Sequence, residues 1–90
     1  MKEFQKIIRD TYYDKDSKRG VAGTFNWFTE EVGELARAIR KGKDLEDEFA
    51  DVCAWLFSLA NIMGVDMQEA TKKYSKGCPK CGKIPCICHE

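Results

Sequence analysis

Residues 27–56 read WFTEEVGELARAIRKGKDLEDEFADVCAWL, and the fold turns on this stretch. Apolar residues recur at Val21, Phe25, Phe28, Val32, Leu35 and Ile39 on one side of its centre. They recur again at Leu45, Phe49, Val52, Leu56, Leu59 and Met63 on the other. The steps alternate between four and three, the spacing of a helix packed along one stripe. Between the two runs, Lys41-Gly42-Lys43-Asp44 supplies a stop, with glycine at a C-terminal position and Asp44 as the N-cap of the second run. The spacing predicts helices over residues 21–40 and 45–63, closed as a hairpin.

The acids of this stretch obey the same geometry. Glu31-x-x-Glu34 lies on the first helix and Glu48-x-x-Asp51 on the second. Residues 34 and 48, 31 and 51, and Trp27 and Trp55 are each equidistant from Lys41, so a hairpin closing there stacks them in rungs. At roughly 100° per residue, both acid pairs and both tryptophans fall about 60–120° to the same rotational side of their stripes. Glu30, Glu46 and Asp47 project towards solvent instead. An antiparallel pair has an approximate two-fold axis, so the four carboxylates should share one edge. Like charges so close destabilise a helix, and no Lys or Arg is expected between them. A bound cation answers that repulsion; the competing reading is a solvated acidic face. The tryptophans either pack beside the core or stack on a ligand.

Oxygen-only ligands suit Mg²⁺ or Mn²⁺, which typically bridge carboxylates to substrate phosphates. The sequence has no Gly-rich phosphate loop, and its one histidine, His89, stands in a cysteine-rich tail away from any nucleophile. Metal-activated water, with one carboxylate as general base, is the economical chemistry.

Trp27-Phe-Thr-Glu30-Glu31-Val-Gly-Glu34-Leu35, Glu48-x-x-Asp51-Val52, Leu59-Ala-Asn61 and Gly64-Val-Asp66 together resemble MazG-type nucleotide pyrophosphohydrolases, of the all-α NTP pyrophosphatase superfamily. The resemblance covers residues 1–76. It implies Mg²⁺ held by Glu31, Glu34, Glu48 and Asp51, and cleavage of a nucleoside triphosphate between the α and β phosphates, in a house-cleaning role. It also implies a homodimer or homotetramer whose base pocket is partly built by a neighbouring subunit. Phosphoribosyl-ATP pyrophosphohydrolase is the sibling enzyme reading. A zinc-stabilised helical interaction module, docking a basic partner on its acid edge, is the non-enzymatic one. Arg19, Lys72, Lys73 and Lys76 are candidates to meet the triphosphate, or simply solvated cations at helix ends. Asn61 resembles a family position near the nucleotide, although its helix projection points away from the acids.

The tail, residues 77–90, is a second device. Cys78-x-x-Cys81 followed by Cys86-x-Cys88 offers four soft ligands, with Gly82 for a tight turn and His89 as alternative fourth ligand. Structural Zn²⁺ is the expectation; an iron centre, a disulfide or free thiols are the alternatives. Cys53, beside the stripe of the second long helix, reads as a small buried apolar residue.

The remaining sequence completes the frame. Residues 2–14 carry Phe4, Ile7, Ile8 and Tyr12 at helical spacing; residues 14–20 read as a loop, and Asp66 caps a short helix to about residue 76. The expected fold is all-α, a helical hairpin in a small four-helix-type bundle completed by oligomerisation. Fifteen basic residues balance fifteen acidic ones, which gives no electrostatic case for nucleic acid or an anionic membrane. No apolar run reaches membrane-spanning length, Met1-Lys2-Glu3 does not open a signal peptide, and a cytoplasmic location is the expectation.

Overall fold

In a computed structural model of the chain, residues 1–89 are described, and they form an all-helical protein. Helix α1 runs Lys2–Lys41, α2 Leu45–Met63 and α3 Met67–Ala70, and a 3₁₀ turn succeeds them over Thr71–Tyr74. No strand is present among the described residues. The expected order of elements stands, with two differences at the edges. The short helix after Asp66 is one α-turn and one 3₁₀ turn, ending at Tyr74. Residues 15–19, expected as a loop, are helical.

The break expected over 14–20 is confined to Gly20, at φ 86° and ψ 171°. Side chains other than hydrogen are essentially excluded from that region. The break has a large consequence. A straight helix of this length would span about 60 Å at 1.5 Å per residue, yet the molecule's longest dimension is 42 Å. Arg19 laces the bend, donating from Nη1 to Asp16 Oδ1 at 2.9 Å and to Thr24 Oγ1 at 3.4 Å. Gly23 makes room for it: a β-carbon there would lie 2.7 Å from Arg19 Cγ.

Both halves of α1 pack on α2. Near its start, Phe4 meets Phe57 edge to face at 5.1 Å. Gln5 donates from Nε2 to Asn61 Oδ1 and to the Val65 carbonyl, and its Oε1 accepts from the Met67 amide. Beyond the bend, α1 runs back along α2 as the expected hairpin. Gly42, left-handed at φ 67°, ends α1 by donating its amide to the Ala38 carbonyl. Asp44 stands at the N-cap of α2 in a left-handed conformation and makes no side-chain cap bond. Asp66 does cap α3, accepting from the Glu69 amide at 3.2 Å.

The apolar stripe divides differently from expectation. Ile8, Ala38, Phe57 and Ala60 are buried, together with the polar residues Asp16, Thr24, Ser58 and Asn61. Phe28, Leu35, Val52 and Leu59 are half-buried. The other stripe residues, Val21, Phe25, Val32, Ile39, Leu45, Phe49, Leu56 and Met63, are exposed, from 39% at Leu45 to 61% at Met63. The apolar arc of each helix is wider than one neighbour can cover. Cys53 is exposed rather than buried. No single helix among the described residues is long and apolar enough to cross a membrane.

Candidate active site

The acids meet because α1 and α2 pack in the register predicted from Lys41. Oxygens of Glu31, Glu48 and Asp51 all lie within 4.8 Å of one another. Octahedral ligands at about 2.1 Å from a Mg²⁺ stand up to about 4.2 Å apart, so these three fit such an ion with small adjustment. Burial pushes the Glu31 carboxyl above the usual range, and the charges of Asp51, Glu48, Glu34 and Glu30 add to the effect. Burial and the charges of Asp51, Glu34, Asp44 and Asp47 do the same to Glu48. Glu48 Oε2 is buried and no described residue donates to it. A buried acceptor of this kind costs free energy until something pairs with it, and a hard cation is the natural partner for oxygens so placed.

Glu34 lines the same recess, of about 590 Å³, but stands apart from the tight triad. Arg37 Nη1 donates to both of its oxygens, at 3.2 and 3.3 Å. The acid flank therefore does contain a cation, contrary to the sequence expectation, and the i,i+3 spacing of Glu34 and Arg37 was the signal for it. Glu30, expected to face solvent only, also borders the recess.

Trp27 and Trp55 stack at 5.9 Å with rings 12° apart. The Arg19 guanidinium lies 4.9 Å from the centre of the Trp55 ring, within reach of a cation–π contact. A second cleft, of about 250 Å³, opens beside them between residues 12–19 and 51–58, and Asp51 lines both cleft and recess. Asp16, Ser58 and Tyr12 in this cleft had no sequence signal, because the bend at Gly20 brings them there.

The other candidates stand elsewhere. Asn61 is buried beside Gln5, ten residues along α2 from Asp51, with its Oδ1 and Nδ2 engaged in pairing to Gln5. Lys72 pairs with Glu69, Lys73 lies over the Tyr74 ring at 5.2 Å, and Lys76 is exposed. This segment comes after α3, which is tied to Gln5 at the start of α1. It is therefore grouped with the Asn61 end of α2 rather than with the acids.

In the tail, the sulfurs of Cys78, Cys81, Cys86 and Cys88 lie within 4.8 Å of one another. Cys78 and Cys88 are 3.7 Å apart, and Cys81 and Cys86 3.9 Å. A tetrahedron with metal–sulfur bonds of about 2.3 Å has an edge of about 3.8 Å, so the thiols fit a tetrahedral ion closely. A tight turn presents them: Gly82 donates to the Cys78 carbonyl at 2.7 Å and Cys78 to the Lys83 carbonyl at 3.2 Å. Amides of Cys81 and Lys80 aimed at the Cys78 sulfur lower its pKa to about 6. The Ile87 amide lowers that of Cys81, while the neighbouring thiols, Cys86 foremost, push Cys88 up to about 11. His89 is exposed and outside the cluster.

No curated protein matches the chain in a sequence comparison. The family of the MazG nucleotide pyrophosphohydrolase domain matches residues 20–82, a span holding both acid pairs and the first two cysteines of the tail. With most of its length matched, the chain belongs to the MazG nucleotide pyrophosphohydrolase domain family.

Proposed function

We propose that the protein hydrolyses a nucleoside triphosphate between its α and β phosphates, releasing the monophosphate and pyrophosphate. Residues 1–76 form the catalytic domain in this reading and residues 77–90 a metal-holding tail. The observation that carries it is the triad of Glu31, Glu48 and Asp51, whose oxygens approach within 4.8 Å without a basic partner among them. Glu31, Glu48 and Asp51 would hold Mg²⁺, and Glu34 would join them on leaving its exposed pair with Arg37. When bound, the ion supplies charge neutralisation to the phosphoryl oxygens and the leaving pyrophosphate. The chain's own residues do the rest. A carboxylate of the cluster takes the proton from the attacking water. Arg37, once released, which lines the recess, and Lys15 and Arg19, which line the adjoining cleft, are cations available to the phosphate chain.

The tail holds Zn²⁺ through Cys78, Cys81, Cys86 and Cys88, in keeping with their near-tetrahedral spacing. A second copy of the chain covers the apolar face of Phe25, Val32, Phe49 and Leu56, which a lone subunit leaves exposed. Reduced thiols suit a cytoplasmic enzyme with a house-cleaning role towards surplus nucleotides.

The test is a panel of nucleoside triphosphates assayed for pyrophosphate release with Mg²⁺ and with EDTA. Release with Mg²⁺ alone, lost in Asp51→Asn, is the expected result. Equal release in the variant would remove the triad from the chemistry.

A further inference from the structure

The even charge balance of the whole chain conceals a separation. Residues 30–51, which carry the triad, hold eight acids against four bases, whereas residues 70–89 hold Lys72, Lys73, Lys76, Lys80 and Lys83 and no acid. Four thiolates on one Zn²⁺ would place two net negative charges at the centre of the tail, so this stretch stays cationic even when loaded. All five lysines are exposed. Lys72 pairs with Glu69, and no described acid pairs with the other four.

The backbone gathers these cations onto one small surface. The Gly77 amide donates to the Tyr74 carbonyl at 3.1 Å, and the Cys78 amide to the Lys83 carbonyl at 3.2 Å. The chain closes on Gly77 itself: a β-carbon there would stand 2.8 Å from the Lys83 carbonyl oxygen and press on the Ile84 side chain. Lys76 and Lys83, seven residues apart in sequence, therefore flank one point, with Tyr74 a single turn away. Tyr74 is 58% exposed, and Lys73 Nζ lies 5.2 Å from the centre of its ring. Cations around an exposed aromatic ring match the two features of an unpaired strand, its phosphates and its open base faces.

We propose that residues 72–83 form a binding surface for single-stranded nucleic acid. It is separate from the acid triad and goes beyond the hydrolysis. A duplex is the poorer match. The α-turn and 3₁₀ turn before the tail have four residues each, and no strand is present among the described residues, so nothing here can fill a groove. Tyr74 can stack only on a base that is not already stacked between neighbours. A lipid surface is also the poorer match, because the apolar side chains beside the lysines, Ile84 and Ile87, stand singly and not along an amphipathic helix.

The test measures fluorescence anisotropy of a labelled oligothymidylate of about 20 nucleotides, and of an oligouridylate of equal length, with the intact zinc-loaded protein. Neither strand carries a triphosphate, so the outcome does not depend on the pyrophosphohydrolase reading. Four phosphate contacts, one for each lysine without an acid partner, give a slope of log affinity against log salt of about −3, or about 50-fold weaker binding at about 200 mM than at about 50 mM salt. Lys80→Glu combined with Lys83→Glu should weaken binding by about tenfold or more and halve that slope. Neither side chain makes a described hydrogen bond, so circular dichroism should be unchanged. Tyr74→Ala should weaken binding about tenfold and leave the slope alone, since stacking releases no counterions. Binding of either strand with these two signatures supports the proposal. Absence of binding at about 100 μM protein in low salt overturns it. So does indifference to the lysine reversals, equal affinity for a duplex of the same length, or tighter binding to phosphatidylserine vesicles than to either strand.

Discussion

The molecule carries two clusters of side chains spaced to hold a metal ion, assembled in opposite ways. The carboxylates come from two helices and are separated by up to 20 residues, from Glu31 to Asp51. They converge only because α1 and α2 pack in one register. The thiols come from 11 consecutive residues, Cys78 to Cys88, and converge because a turn at Gly82 brings them round. The first cluster has three close carboxylates and a fourth paired with Arg37, and it lines an open recess. The second has four ligands at tetrahedral spacing and is closed. In the proposed reading, chemistry goes with the open site and structure with the closed one.

That contrast breaks most visibly under substitution of a ligand. Glu48→Gln should lower Mg²⁺-dependent pyrophosphate release by about 100-fold or more, since even outer partners of metal ligands are worth about 10–100-fold; steady-state kinetics alongside far-UV circular dichroism separate this from unfolding. Cys81→Ser should abolish bound zinc, from one ion per chain to none by elemental analysis. It should leave the helical signal intact and turnover within a few-fold of wild type. A matching collapse of turnover would mean that the tail shapes the active site.

The bend sharpens the comparison from the side of stability. Gly20→Ala forces a β-carbon into a glycine-only conformation and should cost about 1–3 kcal/mol, read as a lower urea midpoint. In the same titration zinc should stay bound past the loss of helix, since the thiol site does not depend on how α1 and α2 pack. Asn61→Ala should destabilise by a similar or smaller amount, about 1–2 kcal/mol, by stranding the Gln5 amide. A raised KM without loss of stability would instead give Asn61 a place at the nucleotide.

The smallest effect expected is the pH dependence of the metal-free protein. The Glu31 and Glu48 carboxyls are raised in the folded chain above their ordinary 4.5. The folded state thus binds protons more readily than the unfolded one, and stability falls as pH rises from about 4.5 through the raised values. Thermal melts in EDTA should show a gain on acidification from pH 7 towards 5. Mg²⁺ at pH 7 should raise the melting temperature and flatten that dependence.

The acid triad was legible in the sequence because helical spacing and hairpin symmetry are both local rules. Glu31, Glu48, Asp51 and the Trp27–Trp55 stack all come from counting outward from Lys41. The cysteine cluster was legible for a simpler reason, since its members are near neighbours. The cleft was not: Asp16, Ser58 and Tyr12 share it only because one glycine bends a 40-residue helix. The Asp14–Arg19 run looked like a loop by its charge, but a single Gly20 suffices to turn the chain, and the charges include the Asp16–Arg19 pair that laces the turn. The apolar stripe was read correctly as apolar and wrongly as interior at Phe25, Phe49 and Met63, because periodicity shows a face but not what covers it.

The stacked indoles give the protein a built-in optical gauge. Trp27 and Trp55 are its only tryptophans, and Trp55 lines the cleft beside Asp51 while Trp27 lines the acid recess. All of the tryptophan emission therefore originates at the boundary between cleft and triad, under the Arg19 guanidinium. Anything that enters either space, shifts that guanidinium or parts the rings should change brightness or colour without an added dye, and occupancy can be tracked in real time on the unlabelled chain.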